Sequence, residues 1–203
     1  MLAPSKSSIR FMESKPEFKK MTLCFLLMFF FAGLAGLGSS SAGGFYAILE
    51  KPNWAPPSWV FGPVWAFLYV LIAISFYFIW RTTSSSLLSR SIQLFLLQLG
   101  LNVLWPWLFF YGHFGAAAFV DIVLLIAVLL GGLTRFWWRQ HHLGSLLLLP
   151  YVGWVIFAAV LNFSVWQLNP ELLWCWRDQY LRILLLGRFF CLHGSRVVEG
   201  DCN

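Results

Sequence analysis

The chain has 203 residues, of which 60% are hydrophobic, 19% aromatic and only 11% charged. Soluble domains carry about 25% charged residues, so this composition excludes an ordinary water-soluble globule and indicates a chain whose solvent is lipid. The formal charge of +6 comes from basic residues at the edges of apolar runs, where they meet lipid headgroups. Neither a basic stripe on a polar surface nor a glycine-rich nucleotide loop occurs, so nucleic acid is not an expected partner.

Five apolar runs reach the roughly 20 residues that a bilayer-crossing helix needs. The sequence therefore predicts an all-α integral membrane protein, a five-transmembrane-helix bundle in one domain over residues 21–167. Residues 1–20 are expected to be a charged, flexible extension, and residues 168–203 a divergent tail that begins with an interfacial helix and ends in disorder. The five spans are expected at about residues 21–41, 58–80, 91–111, 114–135 and 145–166.

The first run, MTLCFLLMFFFAGLAGLGSSS, begins at Met21. It is longer than the apolar core of a signal peptide, about 7–15 residues, so we expect it to remain in the protein. Ala32 and Gly36 stand four positions apart in its second half, a spacing typical of faces on which helices approach closely in lipid. A homodimer through this face is one alternative that the pattern leaves open.

Before the second run lies a block of tryptophans and prolines, KPNWAPPSWVFGPVW, from Lys51 to Trp65. Indole rings such as those of Trp54 and Trp59 favour the depth of the lipid headgroups, and the prolines stiffen the chain and stop a helix from running through it. Two interpretations follow from these residues: an interfacial aromatic belt with a rigid turn, or a stiff lid with stacking rings above a cavity.

The remaining runs carry a few polar side chains: Asn102, Asn162 and Asp121, the last being the only carboxylate inside a predicted span. An unpaired polar group in hydrocarbon is costly, and an intramembrane charge is by default a functional candidate. For Asn162 we expect an interhelical hydrogen bond, whereas for Asn102 and Asp121 a structural partner and a ligand contact both stay open. Trp105 and Phe109, four residues apart, are expected to share a helix face.

Metal and acid–base chemistry find no support in the sequence. The four cysteines and four histidines show no ligand spacing typical of a metal site, so no metal is predicted. No acid–base constellation is recognisable, so no catalytic residue is predicted.

Four motifs, taken in chain order, resemble the translocator protein family, whose members are also called tryptophan-rich sensory proteins and peripheral-type benzodiazepine receptors. The first is KPNWAPP with Trp65 after it, and the second is LNVLWPWLFF, which begins at Leu101. The third is VDIVLL around Asp121, and the fourth is LLLPYVGWVIFAAVLNFSVW, which ends at Trp166. Together they cover about residues 45–166, and the likeness fades after Trp166.

The resemblance implies a pocket that opens towards the first loop and takes flat hydrophobic ligands. The expected ligands are tetrapyrroles such as protoporphyrin IX and heme, with cholesterol as the second choice. They are expected as ligands and not as obligatory cofactors. It also implies a location in the mitochondrial outer membrane of a eukaryote or in the cell envelope of a bacterium. Two alternatives are a light-dependent porphyrin-degrading enzyme, with indoles as redox partners, and a scaffolding or sensory membrane protein that transports nothing.

The same resemblance suggests which side chains line the pocket. Trp65 and Trp154 are expected to flank a planar ligand, and Ala158 to leave space beside Trp154. The aromatic pair of loop one is expected near the mouth. The full set of expected ligand contacts is Phe45, Tyr46, Trp54, Trp65, Asn102, Trp105, Phe109, Asp121, Trp154 and Ala158.

Overall fold

The computed structural model describes residues 18–82, 90–138 and 142–173. Within these ranges, five helices are long and apolar enough to cross a bilayer. They are α1 (Phe18–Gly38), α3 (Phe61–Thr82), α4 (Arg90–Pro106), α5 (Gly115–Trp138) and α6 (His142–Leu168). A short helix, α2 (Ala42–Ile48), and a 3-10 helix (Ser58–Val60) lie between α1 and α3. The protein is therefore an integral, multi-pass, all-α membrane protein, which confirms the predicted fold class.

The membrane helices form a closed ring in the order α1, α3, α6, α5, α4, and α4 returns to α1. The order in space thus differs from the order in sequence, because α6 packs between α3 and α5. Helices α3 and α4 follow one another along the chain but barely touch. Since α1 bridges these two helices, the space between α1, α3 and α4 is the loosest part of the ring.

The seam between α3 and α6 is packed at backbone distance. A Cβ atom added to Gly144 would stand 3.0 Å from the Ile79 side chain and 3.3 Å from the Ser75 carbonyl oxygen. The Ser75 hydroxyl donates a hydrogen bond to the Gly144 carbonyl at 2.7 Å. In lipid, helices gain little from the hydrophobic effect, so such close approach and interhelical hydrogen bonds hold them together.

The first membrane helix begins earlier than the sequence predicts. Phe18, Lys19 and Lys20 belong to α1, so the prediction that they form part of a flexible extension is wrong. Lys19 and Lys20 carry long side chains, which in a membrane helix can place their charges at the interface without ending the helix. At its other end α1 stops at Gly38, and the three serines that follow form the turn into α2.

The end of α4 departs from regular helix. Pro106 has no N–H to donate, and after it the chain widens into a π-helical turn, Trp107–Tyr111, closed by the Gly112 amide on the Trp107 carbonyl at 2.8 Å. His113, with φ of 56°, then turns the chain into α5. The predicted interfacial helix of the tail lies, from residue 174 onward, outside the described residues.

Candidate ligand-binding cavity

A cavity of about 530 Å³ opens between α1, α2, the start of α3 and the end of α4. Its volume falls within the range of about 300–1,000 Å³ that small-molecule sites occupy. It lies where the ring is loosest. Its walls are formed by Phe29, Ala32, Ala35, Gly36, Ser39, Ala42, Gly43, Tyr46, Ser58, Trp59, Phe61, Gly62, Trp65, Ala66, Tyr69, Asn102, Trp105, Pro106 and Phe110.

Small side chains create this space. Ala32 and Gly36 lie on the α1 wall, and Gly62 faces them from α3. A Cβ atom at Gly36 or at Gly62 would meet nothing within 4 Å. The small face of the first span therefore lines a void, and the expectation of close helix approach there is wrong at Gly36. Close approach occurs instead at Gly38, where a Cβ atom would stand 2.7 Å from the Trp107 indole.

An indole held in one orientation forms the α4 side of the cavity. Trp105 donates from Nε1 to the Asn162 side-chain oxygen at 3.0 Å, and Asn162 donates in turn to the Gly115 carbonyl at 3.2 Å. The interhelical hydrogen bond predicted for Asn162 is thus confirmed. Trp105 also stacks on Phe109 with 5.4 Å between ring centroids and 11° between planes, which confirms that the two share a helix face.

The cavity has a polar floor of two side chains, Tyr69 and Asn102, which hydrogen-bond to one another. The Tyr69 hydroxyl donates to the Asn102 side-chain oxygen at 2.6 Å, and the Asn102 amide nitrogen donates to the Tyr151 hydroxyl at 3.0 Å. Asn102 therefore has structural partners and also borders the cavity, and a ligand contact by Asn102 stays a prediction.

The connection between α1 and α3 closes the cavity at one end. The Tyr46 hydroxyl donates to the Pro56 carbonyl at 3.0 Å, and burial raises the pKa of this phenol above its ordinary value. The Lys51 ammonium donates to the carbonyls of Tyr46 and Leu49, at 2.7 Å each. These carbonyls end α2, where a cation is favoured.

Asn169 fixes the same connection to the end of α6. Its side-chain oxygen accepts from the Glu50 amide at 2.8 Å, and its amide nitrogen donates to the Glu50 carbonyl at 2.8 Å. Asn169 is itself buried, beside the fully buried Leu173. This clamp was not predictable from the sequence, because Glu50 and Asn169 are 119 positions apart and neither lies in a recognisable motif.

Of the ten residues predicted as ligand contacts, Tyr46, Trp65, Asn102 and Trp105 line this cavity. Phe109 lies behind Trp105. Those that the prediction missed include the small residues of α1 and, on the rim, the exposed side chains of Phe29 and Trp59. Two signals were available in the sequence. One was the block of tryptophans and prolines, for which a lid above a cavity was one interpretation, and the other was the spacing of small residues on α1, which is equally typical of close helix packing.

The other predicted contacts lie elsewhere. Phe45 stacks on the His113 ring at 4.1 Å, and Trp54 contacts the Phe157 ring edge-on at 5.8 Å. Trp154 packs between Phe61, at 6.0 Å, and Phe157, at 5.3 Å, rather than across the cavity from Trp65. Ligand contact by these aromatic residues stays a prediction.

Ala158 and Asp121 are buried and do not line the cavity. Both oxygens of the Asp121 carboxyl lack a hydrogen-bond partner among the residues that the structure describes. A role in ligand contact stays a prediction for both.

Residues 21–167 match the TspO/MBR family model. The Tryptophan-rich protein TspO of Archaeoglobus fulgidus is 45% identical over 140 residues, which cover 68% of this chain and 89% of the relative. Protein CrtK of Rhodobacter capsulatus is 35% identical over 150 residues, covering 71% and 93%. The Translocator protein of Homo sapiens is 37% identical over 126 residues, covering 61% and 74%. These matches confirm the resemblance read from the motifs, and with the family match extending from α1 to the last turn of α6, the chain belongs to the TspO/MBR family.

Proposed function

We propose that this protein binds and translocates flat hydrophobic ligands, with tetrapyrroles such as protoporphyrin IX and heme first and sterols second. The observation that carries the proposal is the cavity of about 530 Å³. Its walls are mostly apolar and its polar groups are few, which is the arrangement typical of small-molecule sites. The indoles of Trp65 and Trp105 offer faces on which a planar guest can stack.

A ligand can reach this cavity from the bilayer. The lining residues Phe29 and Trp59 are 61% and 73% exposed, and both belong to the side formed by α1 and the start of α3. Gly36 and Gly62 on the same side carry no side chain that would obstruct a guest. A hydrophobic molecule dissolved in lipid would therefore enter without crossing water. This route suits ligands that partition into membranes.

The relatives add a second line of support. One bears the name Translocator protein, and another bears the name Tryptophan-rich protein TspO. Translocation is carried over to this chain as part of the proposal, and ligand binding is the step that a purified protein can test first.

The test compares two tryptophans that differ in position but not in chemistry. Protoporphyrin IX is titrated into detergent-purified protein, and its own absorbance change is followed, so that removing an indole does not remove the signal. We expect Trp65→Leu, in the cavity wall, to weaken binding by about tenfold or more, which corresponds to about 1.4 kcal/mol. The matched control Trp80→Leu, at the other end of the same helix and outside the cavity wall, should stay within about twofold.

Two results would count against the proposal. One is the absence of saturable binding by the wild-type protein, and the other is equal weakening by the two substitutions. Illumination of the complex separates binding from the porphyrin-degrading alternative. A binding protein leaves the porphyrin spectrum no more changed than free tryptophan does under the same light.

A further inference from the structure

The two ends of the helix bundle differ in what they carry. The ends of α1 and α4 and the approach to α3 lie at the cavity, where Ser39, Pro106 and Ser58 form part of its wall. Helix α5 begins at the same end, after the turn at His113, and α6 finishes there, where Asn169 bonds the connection. The opposite end of the bundle is therefore formed by the starts of α1, α4 and α6 and by the ends of α3 and α5.

Side-chain contacts join the helices at this opposite end. The Ser75 hydroxyl, on the second half of α3, donates to the Gly144 carbonyl near the start of α6. Phe95, near the start of α4, contacts Phe76 of α3 with 4.7 Å between ring centroids and Phe136 of α5 with 6.5 Å. Helix α1 packs against both α3 and α4. The five helix termini therefore form one face of the bundle.

This face, which we call the basic end, holds every lysine and arginine of the described helices. They are Lys19, Lys20, Arg81, Arg90 and Arg135. Lys19 and Arg90 are exposed. Arg81 stands 12 positions beyond Tyr69 of the cavity wall, which is about 18 Å along the helix. The basic end is thus remote from the cavity.

No carboxylate within residues 18–82, 90–138 and 142–173 stands at the basic end. Glu50 and Glu171 lie at the cavity end, and Asp121 lies in the first half of α5, which begins there. The connections that leave the basic end, 83–89 and 139–141, add Arg139 and no acidic residue to the sequence. Like charges gathered on one face repel one another, so an anionic surface beside that face is favoured.

Arg135 has an unmet hydrogen-bond requirement at the basic end. Its Nε atom is buried and has no acceptor among the residues that the structure describes. A charged donor that is buried without a partner is costly. A guanidinium pairs with a phosphate through two parallel N–H bonds, so a phosphate drawn to this face would satisfy the donor.

We propose that the basic end is a docking surface for the headgroups of anionic phospholipids, with Arg135, Arg90 and Lys19 among its contacts. The helices are long enough to cross a bilayer, so their termini lie at the depth of the lipid phosphates. In a zwitterionic lipid the phosphate charge is balanced by the headgroup amine, whereas an anionic lipid leaves it free to neutralise the protein. Each cation near an anionic leaflet strengthens association about fivefold, so five together discriminate between the two lipid classes.

The first measurement compares two lipids that differ in headgroup charge and share their acyl chains. Full-length protein is equilibrated with neutral-detergent micelles that contain equal amounts of phosphatidylglycerol and phosphatidylcholine, and the lipid that co-elutes with the protein is quantified by mass spectrometry. We expect phosphatidylglycerol to be enriched about fivefold or more relative to protein-free micelles, and the enrichment to shrink as salt screens the charges. Equal amounts of the two lipids at low salt would overturn the proposal.

The second measurement uses two triple variants that remove the same charge from different places. The basic-end variant carries K19Q, R90Q and R135Q, and the tail variant carries R177Q, R182Q and R188Q. We expect the basic-end variant to lower the phosphatidylglycerol enrichment about fivefold or more, and the tail variant to stay within about twofold of wild type. Equal losses in the two variants would show that net charge and not the basic end selects the lipid, which would overturn the proposal.

Inorganic phosphate separates a lipid surface from a site for free anions. Replacing chloride by phosphate at matched ionic strength should leave the enrichment unchanged, because a lipid headgroup is held at the face by its membrane as well as by its charge. Displacement of phosphatidylglycerol by the free anion would overturn the proposal and assign the face to a soluble phosphate.

A single substitution keeps the test decisive if the basic-end variant does not fold. Arg90 is exposed at the first position of α4, so Arg90→Gln removes a charge without disturbing a packed side chain. We expect it to lower the enrichment about twofold or more, and an unchanged enrichment would contradict a role for this face. Since none of these variants touches the cavity, the outcome is separate from that of the porphyrin titration.

Discussion

Between α1 and α3, a Cβ atom at Gly36 or Gly62 would meet nothing within 4 Å, whereas between α6 and α3 a Cβ atom at Gly144 would stand 3.0 Å from the Ile79 side chain. Glycine thus leaves open space in one half of the ring, whereas in the other half it lets two helices pack closely against one another. In lipid, helices associate through close packing and polar contacts. The half that contains the cavity gives up packing, so a few specific contacts must hold it in place.

Those contacts lie at the edges of the cavity. Trp107 donates from its indole to the Leu34 carbonyl at 3.0 Å, and Gly38 lies against the same indole, so α1 is fixed to the end of α4. Asn169 fixes the connection at Glu50 to the end of α6. The stability of the fold and its affinity for a ligand therefore depend on different residues. Substitutions at the edges should affect stability, and substitutions at the open glycines should affect ligand affinity.

The largest effect is expected at the edge of the cavity. Gly38→Leu would drive its side chain into the Trp107 ring, so we expect the free energy of unfolding to fall by about 3 kcal/mol. Gly33→Leu is the matched control, because Gly33 lies on the same helix and a Cβ there meets nothing within 4 Å. Unfolding in detergent measures both. Equal stability of the two variants would show that α1 is not held at Trp107.

The next effect concerns the clamp. Asn169→Ala leaves the Glu50 amide and carbonyl without partners, and we expect a loss of about 2 kcal/mol. The Glu50 amide should also exchange its hydrogen faster, because the free energy of local opening falls by a similar amount. Asn53→Ala, an exposed asparagine of the same connection, is the control and should change neither quantity. An unchanged exchange rate in Asn169→Ala would mean that other contacts suffice to hold the connection.

Filling the cavity should affect ligand affinity rather than stability. We expect Gly62→Leu to weaken protoporphyrin IX binding by about tenfold or more, about 1.4 kcal/mol, because its side chain would occupy space that the guest needs. The unfolding free energy should stay constant or rise, since leucine favours helix over glycine. Gly131→Leu, on the lipid-exposed face of α5, should leave affinity unchanged. Unaltered binding by Gly62→Leu would place the ligand elsewhere.

The smallest effect concerns Tyr46 and pH. Burial raises the pKa of this phenol above its ordinary value of 10.0, so the neutral form is favoured in the folded state. Its hydrogen bond to Pro56 therefore stabilises the fold below about pH 10 and is lost as the pH rises through the folded pKa. Tyr46→Phe should cost about 0.5–1 kcal/mol at neutral pH. The difference between the two proteins should shrink at high pH, and a constant difference would contradict this account.

Much of the fold follows from the order of residue types. The apolar runs are long enough to cross a bilayer, and this local property does not depend on neighbours, so the membrane helices were predictable. The ends of these helices were harder to predict. Helix α1 includes Lys19 and Lys20, and the π-helical turn after Pro106 shows no signal beyond the proline itself. That Asn162 would bond across helices was predictable, because a buried amide without a partner is costly, although the identity of its partners was not.

The sequence by itself determined that this is a lipid-embedded helical bundle of the TspO/MBR family, because composition, run length and ordered motifs are properties of the chain alone. The tertiary structure decided which faces enclose the cavity. The ring order places α1 between α3 and α4, which turns Trp65 and Trp105 towards the space and leaves Trp154 packed on Phe61. Gly36 and Gly38, two positions apart, look alike in sequence. Gly36 borders the cavity and Gly38 touches the Trp107 indole, because the position of the neighbouring helix determines whether space is left beside a glycine.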